Sequence, residues 1–527
     1  MSRRYKTAPS RDQGELFPTH LDDYVHANHP IRALDAYVEH LDLKRLGYQH
    51  TEANPVNSGQ PAYPPGMLLK LYLYGYLNRI KSSRCLEQEC HRNLEVRWLA
   101  QGLCPSYKTI SDFRRHNKQA LVKTHKAFIL FCNELSLFGG ACIAVDGSFF
   151  KGSASRKSFQ TTSKLKQSIK QLDEHIAQWQ EELDQRDTDE RSQPVTLTDP
   201  KLQEKLAQLA AWQEAKAEKT QALRALEEAG KTQHSRTDSD ARLLNKGGQR
   251  VAGYNVQIVT DSQHHLIVAD EVTNEPNDTQ QLHAMSVQAK AILGVETLDV
   301  LADGGYYSAT QLAACINDGI TPYVPEPMSK TQRKDKRYSK DQFTYQAAGD
   351  HYACPVGHPL KKSGSARQQN GQWYQRYIAS ETHCKRCSLR SDCISEKSSC
   401  REIWRSEYED VLVAHRQRMA SNQDKMRKRS GAVEHPFGTI KNRLGWSHFL
   451  LRGKDKVSAE WSLIALSYNL TRVLNIMGIE AFIAAVKNKF LFFDLNSLFK
   501  MPLGVLLDFC KNIYPKIDGH YHSCYAA

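Results

Sequence analysis

Two short apolar runs, Ala141-Cys-Ile-Ala-Val145 and Leu298-Asp-Val-Leu-Ala302, each break off at an aspartate followed at once by glycine. Apolar runs of about four to eight residues bounded by turn residues read as buried strands. Each strand therefore carries a carboxylate, Asp146 or Asp303, to its end, beside a residue with no side-chain bulk. Between the two runs the pattern changes twice. Leu165, Ile169, Leu172, Ile176, Trp179 and Leu183 step by 4, 3, 4, 3, 4, a heptad seam too short for a lasting coiled coil. Pro194 and Pro200 interrupt it, and Leu202, Leu206 and Leu209 resume a helical pattern that ends near Gly230. This reads as a helical hairpin packed on itself and inserted into something else. Gly253–Thr260 and His265–Ala269 then flank Asp261–His264 as a strand hairpin. Asn277-Asp278-Thr279 can cap a helix running to about Leu293. A helix near Ser308–Asn317 and a strand at Pro322–Pro325 follow. With the insert removed, strands and helices alternate as in a mixed sheet, an α/β core.

The flanks differ. To about Asn133 the chain reads as helical, with Leu34, Tyr37, Leu41 and then Met67, Leu68, Leu71 at helical spacing. Pro105-Ser-Tyr-Lys-Thr109 enters a helix that carries Arg114, Arg115, His116 and Lys118. Such a basic helix suits phosphate contact in a helix-turn-helix-like arrangement, or is simply the solvated face of an all-helical domain. Glu326 to about Glu402 is rich in Lys, Ser and Cys, without strong periodicity. A long helix is expected from near Tyr408, and Trp461–Leu470 reads as an apolar helix closing the core.

Lys plus Arg number 71 against 58 Asp plus Glu, a formal net charge of +13 that suits a polyanionic partner. Ala481–Leu507 is the most apolar late stretch, yet Lys487, Lys489, Asp494 and Lys500 carry too much charge for a spanning helix, so no membrane partner is expected. The N-terminus lacks the apolar core of a secretory signal. Thirteen cysteines, an odd and mostly scattered set, point to a reducing compartment.

Taken singly, Asp-Gly is more often a turn than a site. As a pair on strands of one core, Asp146 and Asp303 can hold a hard divalent cation if a third carboxylate joins them. Glu434 is the candidate, within Arg427-Lys-Arg-Ser-Gly-Ala-Val-Glu-His-Pro-Phe-Gly-Thr-Ile-Lys441-Asn-Arg443. A surface ion pair is the plainer account of it. Lys441 lies seven residues on, about two turns along a continuous helix, but Pro436 either kinks that helix or opens a new one. Cys354, Cys384, Cys387 and Cys393 form a candidate zinc set. His358 and Cys400 compete for those places, and free thiols in a loop-rich insert are the alternative. Asp238, Asp240, Asp261 and Asp270 read as turn or cap residues, and His435 as a neighbour of the site at most.

In their order, Ala144-Val-Asp146-Gly-Ser148, Gly253-Tyr-Asn-Val-Gln257, Ala302-Asp303-Gly-Gly-Tyr306 and Val433-Glu434-His-Pro-Phe437 with Lys441 resemble the DDE transposases of bacterial insertion sequences. Arg11–Leu43 and Ser111–Arg114 resemble the helical N-terminal domain of one branch of that family. The resemblance implies an RNase H-like catalytic domain that cuts DNA at transposon ends and joins them to a target. Asp146, Asp303 and Glu434 would then be the catalytic, metal-binding triad for Mg²⁺ or Mn²⁺. Arg114, Arg115, Arg427, Arg429, Lys441 and Arg443 would contact DNA. Lys441 matches the lysine of the Tyr-Arg-Glu-Lys signature, whereas Arg427 and Ser430 stand at the tyrosine and arginine places.

The expected fold is thus an RNase H-like mixed-sheet α/β core, interrupted by a helical hairpin insert and a Cys-containing insert, behind an all-helical N-terminal domain. Its divisions are 1–135, helical and DNA-binding; 136–325, the first part of the core with the insert at 160–232; 326–405, Cys-rich; 406–476, the helical end of the core; and 477–527, a tail. The expected partner is double-stranded DNA, both element ends and target, met by a homo-oligomer in the cytoplasm at the nucleoid. A non-catalytic DNA-binding descendant and a nuclease without strand transfer are the rival readings.

Overall fold

The computed structural model describes residues 20–51, 61–140, 142–189, 200–246, 249–327, 337–369 and 371–489. The tail beyond Lys489 and the first part of Arg11–Leu43 therefore lie outside the described residues. The chain divides into two compact units.

One unit holds residues up to Ser136, Gly438–Trp446, and the chain from Ser458 on. Among its described residues the regular elements are helices. Pro30–Glu39 and Pro65–Leu77 each begin with proline in the first turn, where its missing N–H costs nothing. Ser83–Arg92 and Leu94–Leu99 are separate helices, because the Asn93 side chain caps the second by accepting from the N–H groups of Glu95 and Val96. Late residues complete this unit's core. Trp446, fully buried, stacks on Tyr76 at 4.3 Å between ring centroids. Phe482 packs on Phe128 and Phe131. Buried Lys70 pairs with Asp35 at 2.6 Å and with Glu39.

The other unit holds Leu137–Phe437 and Ser447–Val457. Its strands are β1 (Cys142–Lys151), β2 (Phe159–Thr161), β3 (Gln233–Ser235), β4 (Arg242–Lys246), β5 (Gln249–Asp261), β6 (Ile267–Thr273), β7 (Leu298–Leu301) and β8 (Ile320–Tyr323). The main sheet runs β6–β5–β1–β7–β8, with β4 pairing the start of β5. β5 runs antiparallel to both β1 and β6, while β7 and β8 continue parallel to β1. That is the RNase H-like arrangement: an antiparallel meander with two parallel strands added through helical crossovers. Helices Leu282–Leu293 and Ala309–Asn317 cover one face, over Ile143, Val145, Val259 and Val300. The other face is covered at Ala144, Leu301 and Tyr323 by Ala432 and Val433 of the helix Gln423–Gly438.

The insert is a hairpin of two helices, Thr162–Asp189 and Pro200–Glu228. Lys166 reaches Glu227 and Lys216 reaches Asp173, so the helices run antiparallel and pack on one another. β2 and β3 close its base, two strands too short to separate from sequence.

Three local expectations differ. The helix expected from Asn277 starts at Leu282, because the Asp278 carboxylate turns into the core instead of capping. The helix expected from Tyr408 is two, Glu409–Ser421 and Gln423–Gly438. The Cys-containing segment, expected as loop-rich, carries an antiparallel sheet of β9 (Thr344–Gln346), β10 (His351–Ala353), β11 (Pro359–Lys362), β12 (Arg367–Gln369), β13 (Gln372–Ala379) and β14 (Glu402–Ser406). Phe343, Tyr352, Leu360, Tyr377 and Ile403 give that sheet a small core of its own. No single helix among the described residues is long and apolar enough to cross a membrane.

Candidate active site

The parallel ladder between β1 and β7 brings the two aspartates together. Cys142 stands opposite Asp299, Ile143 opposite Val300 and Ala144 opposite Leu301. Two residues further along, the same register sets Asp146 level with Asp303. Side chains two apart on a strand share a face, so Asp146 follows Ala144 onto the face that Ala432 and Val433 cover. Both aspartates are half-buried. Asp146 Oδ1 accepts from the Gly147 N–H at 2.9 Å, and Asp303 Oδ1 accepts from the Gly305 N–H at 2.8 Å. Asp303-Gly304 forms the expected turn just past β7, whereas the strand expected to end at Asp146 runs on to Lys151, so Asp146-Gly147 lies in mid-strand, paired to Ile258 and Gln257 of β5, and is no turn.

Glu434 is exposed and follows buried Val433, which packs over Ala144 and Leu301, two residues short of the aspartates. The α-helix continues through Pro436 to Gly438 and passes into a π turn, Thr439–Arg443. There the Leu444 N–H reaches back five residues to the Thr439 carbonyl at 2.8 Å. Lys441 and Arg443 therefore sit on wider helical turns than the α spacing assumed for them. Buried Thr260 on β5 fixes the helix to the sheet by donating from Oγ1 to the Ala432 carbonyl at 3.1 Å.

On the opposite face, under Gly147, lies a polar cluster that the sequence analysis did not single out. Asp278, 8% exposed, accepts on Oδ1 from Asn255 Nδ2 at 2.8 Å and Gln257 Nε2 at 2.7 Å. Tyr306 donates its hydroxyl to Gln257 Oε1. Burial first, then the carboxylates of Asp278, Asp146 and Asp303, push the Tyr306 phenol far above its ordinary range, while Arg429 pulls the other way. One phenol thus senses both candidate aspartates, Asp278 and one of the candidate arginines. The clue in sequence was Asn255 and Gln257, polar residues two apart within an apolar strand, which must bury a polar face.

The remaining candidates are distributed as follows. Arg427 is exposed and reaches Asp424 at 3.4 Å. Arg114 lies over the Tyr72 ring and donates to the Tyr76 hydroxyl at 3.4 Å, held inside the helical unit, whereas Arg115 is exposed. Asp238 is buried by the insert, accepting from the Tyr254 hydroxyl and the Gly453 N–H. Asp261 is a turn residue, accepting from the N–H groups of Gly139, Gln263 and His264. The His435 ring stacks on that of His265.

In the small sheet module, Cys354, Cys384 and Cys393 pack on one core. Burial pushes the Cys393 thiol up, Arg401 pulls it down, and Cys384, Cys387 and Cys354 push it up again, so the four sulfurs lie within electrostatic reach. The turn after β10 supplies an N–H···S bond, from His358 to Cys354 Sγ at 3.3 Å. His358 also stacks on His383. Still, among the described residues no three His, Cys, Asp or Glu side chains stand together as a formed metal site. The donor types fit even so: the hard carboxylate oxygens of Asp146 and Asp303 suit magnesium, and the cysteine thiols of the small sheet module suit zinc.

Residues 19–116 match the family described as a transposase domain, and residues 353–474 match that of the transposase DDE domain. The second match includes Glu434 and the cysteine module but neither Asp146 nor Asp303. No curated protein matches the chain. Among solved structures, a piggyBac transposase synaptic complex with hairpin DNA is similar at 8% identity and a TM-score of 0.30, over 94% of this chain and 87% of that one. The two family matches, one on the N-terminal helices and one on the residues around Glu434, support a DDE-type transposase.

Proposed function

We propose that the chain cuts DNA at the ends of an insertion sequence and joins the freed ends to target DNA. The observation that carries this reading is the β1–β7 register, whose last pair, Ala144 with Leu301, stands two residues before Asp146 within β1 and two before Asp303 just past β7. Asp146 and Asp303 would hold a divalent cation, magnesium or manganese, with Glu434 closing on it from the covering helix. When bound, that ion supplies Lewis-acid activation and charge neutralisation at phosphate oxygens. No protein nucleophile is needed. Water attacks a phosphodiester at the element end and releases a 3′-hydroxyl, which then attacks a target phosphodiester and displaces one strand end. The chain's own work is to hold the scissile phosphate in line. Arg429, close enough to Tyr306 to offset part of the carboxylate charge, would meet that phosphate. Arg115, Arg427, Lys441 and Arg443 would contact the backbone elsewhere, fixing register without reading sequence. Two ends brought together call for more than one copy of the chain, acting at the nucleoid in the cytoplasm.

The test is cleavage and joining of DNA that carries the element's terminal repeats, in magnesium, by the wild-type chain and Asp303→Ala. Magnesium-dependent nicking and joined product, both lost in the variant while DNA binding survives, is the expected result. Equal nicking by both would remove Asp303 from the site. Nicking without joined product would leave a nuclease, and DNA binding without nicking would leave a DNA-binding protein only.

For the second metal, we propose a structural zinc held by Cys354, Cys384, Cys387 and Cys393. Its support is the packing of Cys354, Cys384 and Cys393 on one small core, the effect of the other three sulfurs on the Cys393 thiol, and the N–H···S bond at Cys354. Metal content of the purified chain tests it: about one zinc per chain is expected, lost in Cys384→Ser with Cys387→Ser, and zinc below a tenth per chain in the wild type would refute it.

A further inference from the structure

We infer that Asp278 is a positioning carboxylate of this site, a buried charge that strengthens its hold on a divalent cation without ligating it; the inference rests on the cleavage reading above. Its two oxygens point to the two glycines that follow the candidate ligands. A Cβ built on Gly147, next to Asp146, would lie 2.6 Å from Asp278 Oδ1. One built on Gly305, two residues beyond Asp303, would lie 3.8 Å from Asp278 Oδ2 and 2.9 Å from Asp303 Oδ1. Asp278 and Asp303 thus flank the same small residue, and Asp278 stands beneath β1 at Gly147, the residue next to Asp146.

The chemistry of its partners is the second argument. Asp278 is 8% exposed, and among the described residues it forms no ion pair. Its partners are two neutral amides, both on Oδ1. The Tyr306 hydroxyl donates to Gln257 Oε1, and this fixes the amide so that Nε2 must donate to Asp278. Every proton in the chain Tyr306–Gln257–Asp278 is therefore already assigned, and the chain ends on a group that only accepts. An amide oxygen at position 278 would satisfy Asn255 and Gln257 equally well. A charge there is not needed for the hydrogen bonds, and burying it without a cation is costly. It is compensated when a divalent ion enters beside Asp146 and Asp303. That one buried phenol, on Tyr306, responds to all three carboxylates shows how closely they are grouped.

The test is Mn²⁺ binding to the full chain, followed by calorimetry, for wild type, Asp278→Asn and Asp303→Asn, with thermal melts in chelator. Asp278→Asn keeps an oxygen acceptor for both amides and removes only the charge. Expected is Mn²⁺ binding weakened about tenfold or more in Asp278→Asn, the scale of removing one buried charge a few ångströms from a divalent ion. Binding should be lost in Asp303→Asn. In chelator, Asp278→Asn should melt at or above the wild-type temperature, because a purely structural carboxylate would instead leave its variant less stable. Wild-type Mn²⁺ affinity in Asp278→Asn, with binding lost in Asp303→Asn, overturns the role of Asp278 and leaves the site standing. A lower melting temperature in chelator makes Asp278 structural and also overturns it. Unchanged binding in both variants brings down the metal site and the inference together.

Discussion

Gly147→Ala tests the polar cluster beneath β1 directly. Gly147 lies in extended strand β1, paired opposite Gln257 of β5, so alanine carries no backbone strain there. Its Cβ, however, would come within 2.6 Å of Asp278 Oδ1 and closer still to Gln257 Nε2. Either the strand shifts or the Gln257 side chain leaves. Overpacking of this kind costs about 1–3 kcal/mol. Displacing Gln257 adds the loss of its bond to a buried carboxylate, about 1.5–3 kcal/mol. Gly→Ala lowers unfolded-state entropy and returns about 0.4–1 kcal/mol. The net expectation is a loss of roughly 2–4 kcal/mol, read as a lower urea midpoint at unchanged slope. Gly438→Ala is the control, since its Cβ would meet nothing within 4 Å. In Gln257→Ala the same Gly147→Ala change should cost at least about 1 kcal/mol less, because the clashing amide is gone. A loss under about 0.5 kcal/mol in the wild-type background would refute the packing argument.

Two further outcomes follow from buried charge. His415, 1% exposed, bonds through Nε2 to the Val324 carbonyl at 2.8 Å and has no partner at Nδ1, and burial, with Arg418 nearby, lowers its pKa to about 4. The unfolded chain binds that proton near pH 6.5, so stability should fall as pH drops from about 6.5 and the loss, about 3 kcal/mol in full, should be complete near pH 4; an identical pH slope in His415→Gln would refute this. Asp35→Asn with Glu39→Gln strands the buried Lys70 ammonium and should cost about 3–5 kcal/mol, whereas Lys70→Met, similar in volume and uncharged, should cost under about 1 kcal/mol by chemical denaturation; equal costs would show that the ion pairs are not what stabilises that helix.

Much of the core was legible because strand burial leaves a local mark. The apolar run before Asp303, the hairpin around Asp261–His264 and the heptad seam of the insert each appear where short-range pattern places them, whereas the strand expected to stop at Asp146 continues to Lys151, because β5 supplies a partner for every residue through Lys151. The level pairing of Asp146 with Asp303 was not legible, since it depends on a parallel register between residues far apart in the chain. Asp278 was misread for a similar reason. Asn-Asp-Thr is a good local cap, and only two amides arriving from β5 turn the carboxylate inward. The small cysteine module escaped because its strands are three to eight residues long and mix aromatic with charged side chains, as in Gln-Trp-Tyr-Gln-Arg-Tyr of β13. Its core forms only when Tyr352, Leu360 and Tyr377 meet across strands.

The helical unit finishes its core with the latest residues of the described chain, and this sets a timetable for synthesis. Trp446, which donates to the Tyr76 carbonyl as well as stacking on its ring, comes 370 residues after it. At about 5–20 residues per second, the ribosome delivers that tryptophan roughly 20–70 s after Tyr76. Phe482 follows later still. Throughout that interval the first helices have emerged with apolar faces that only the end of the message can cover. A chain cut short before Trp446 lacks both the ring that stacks on Tyr76 and the Phe482 side chain that packs on Phe128 and Phe131.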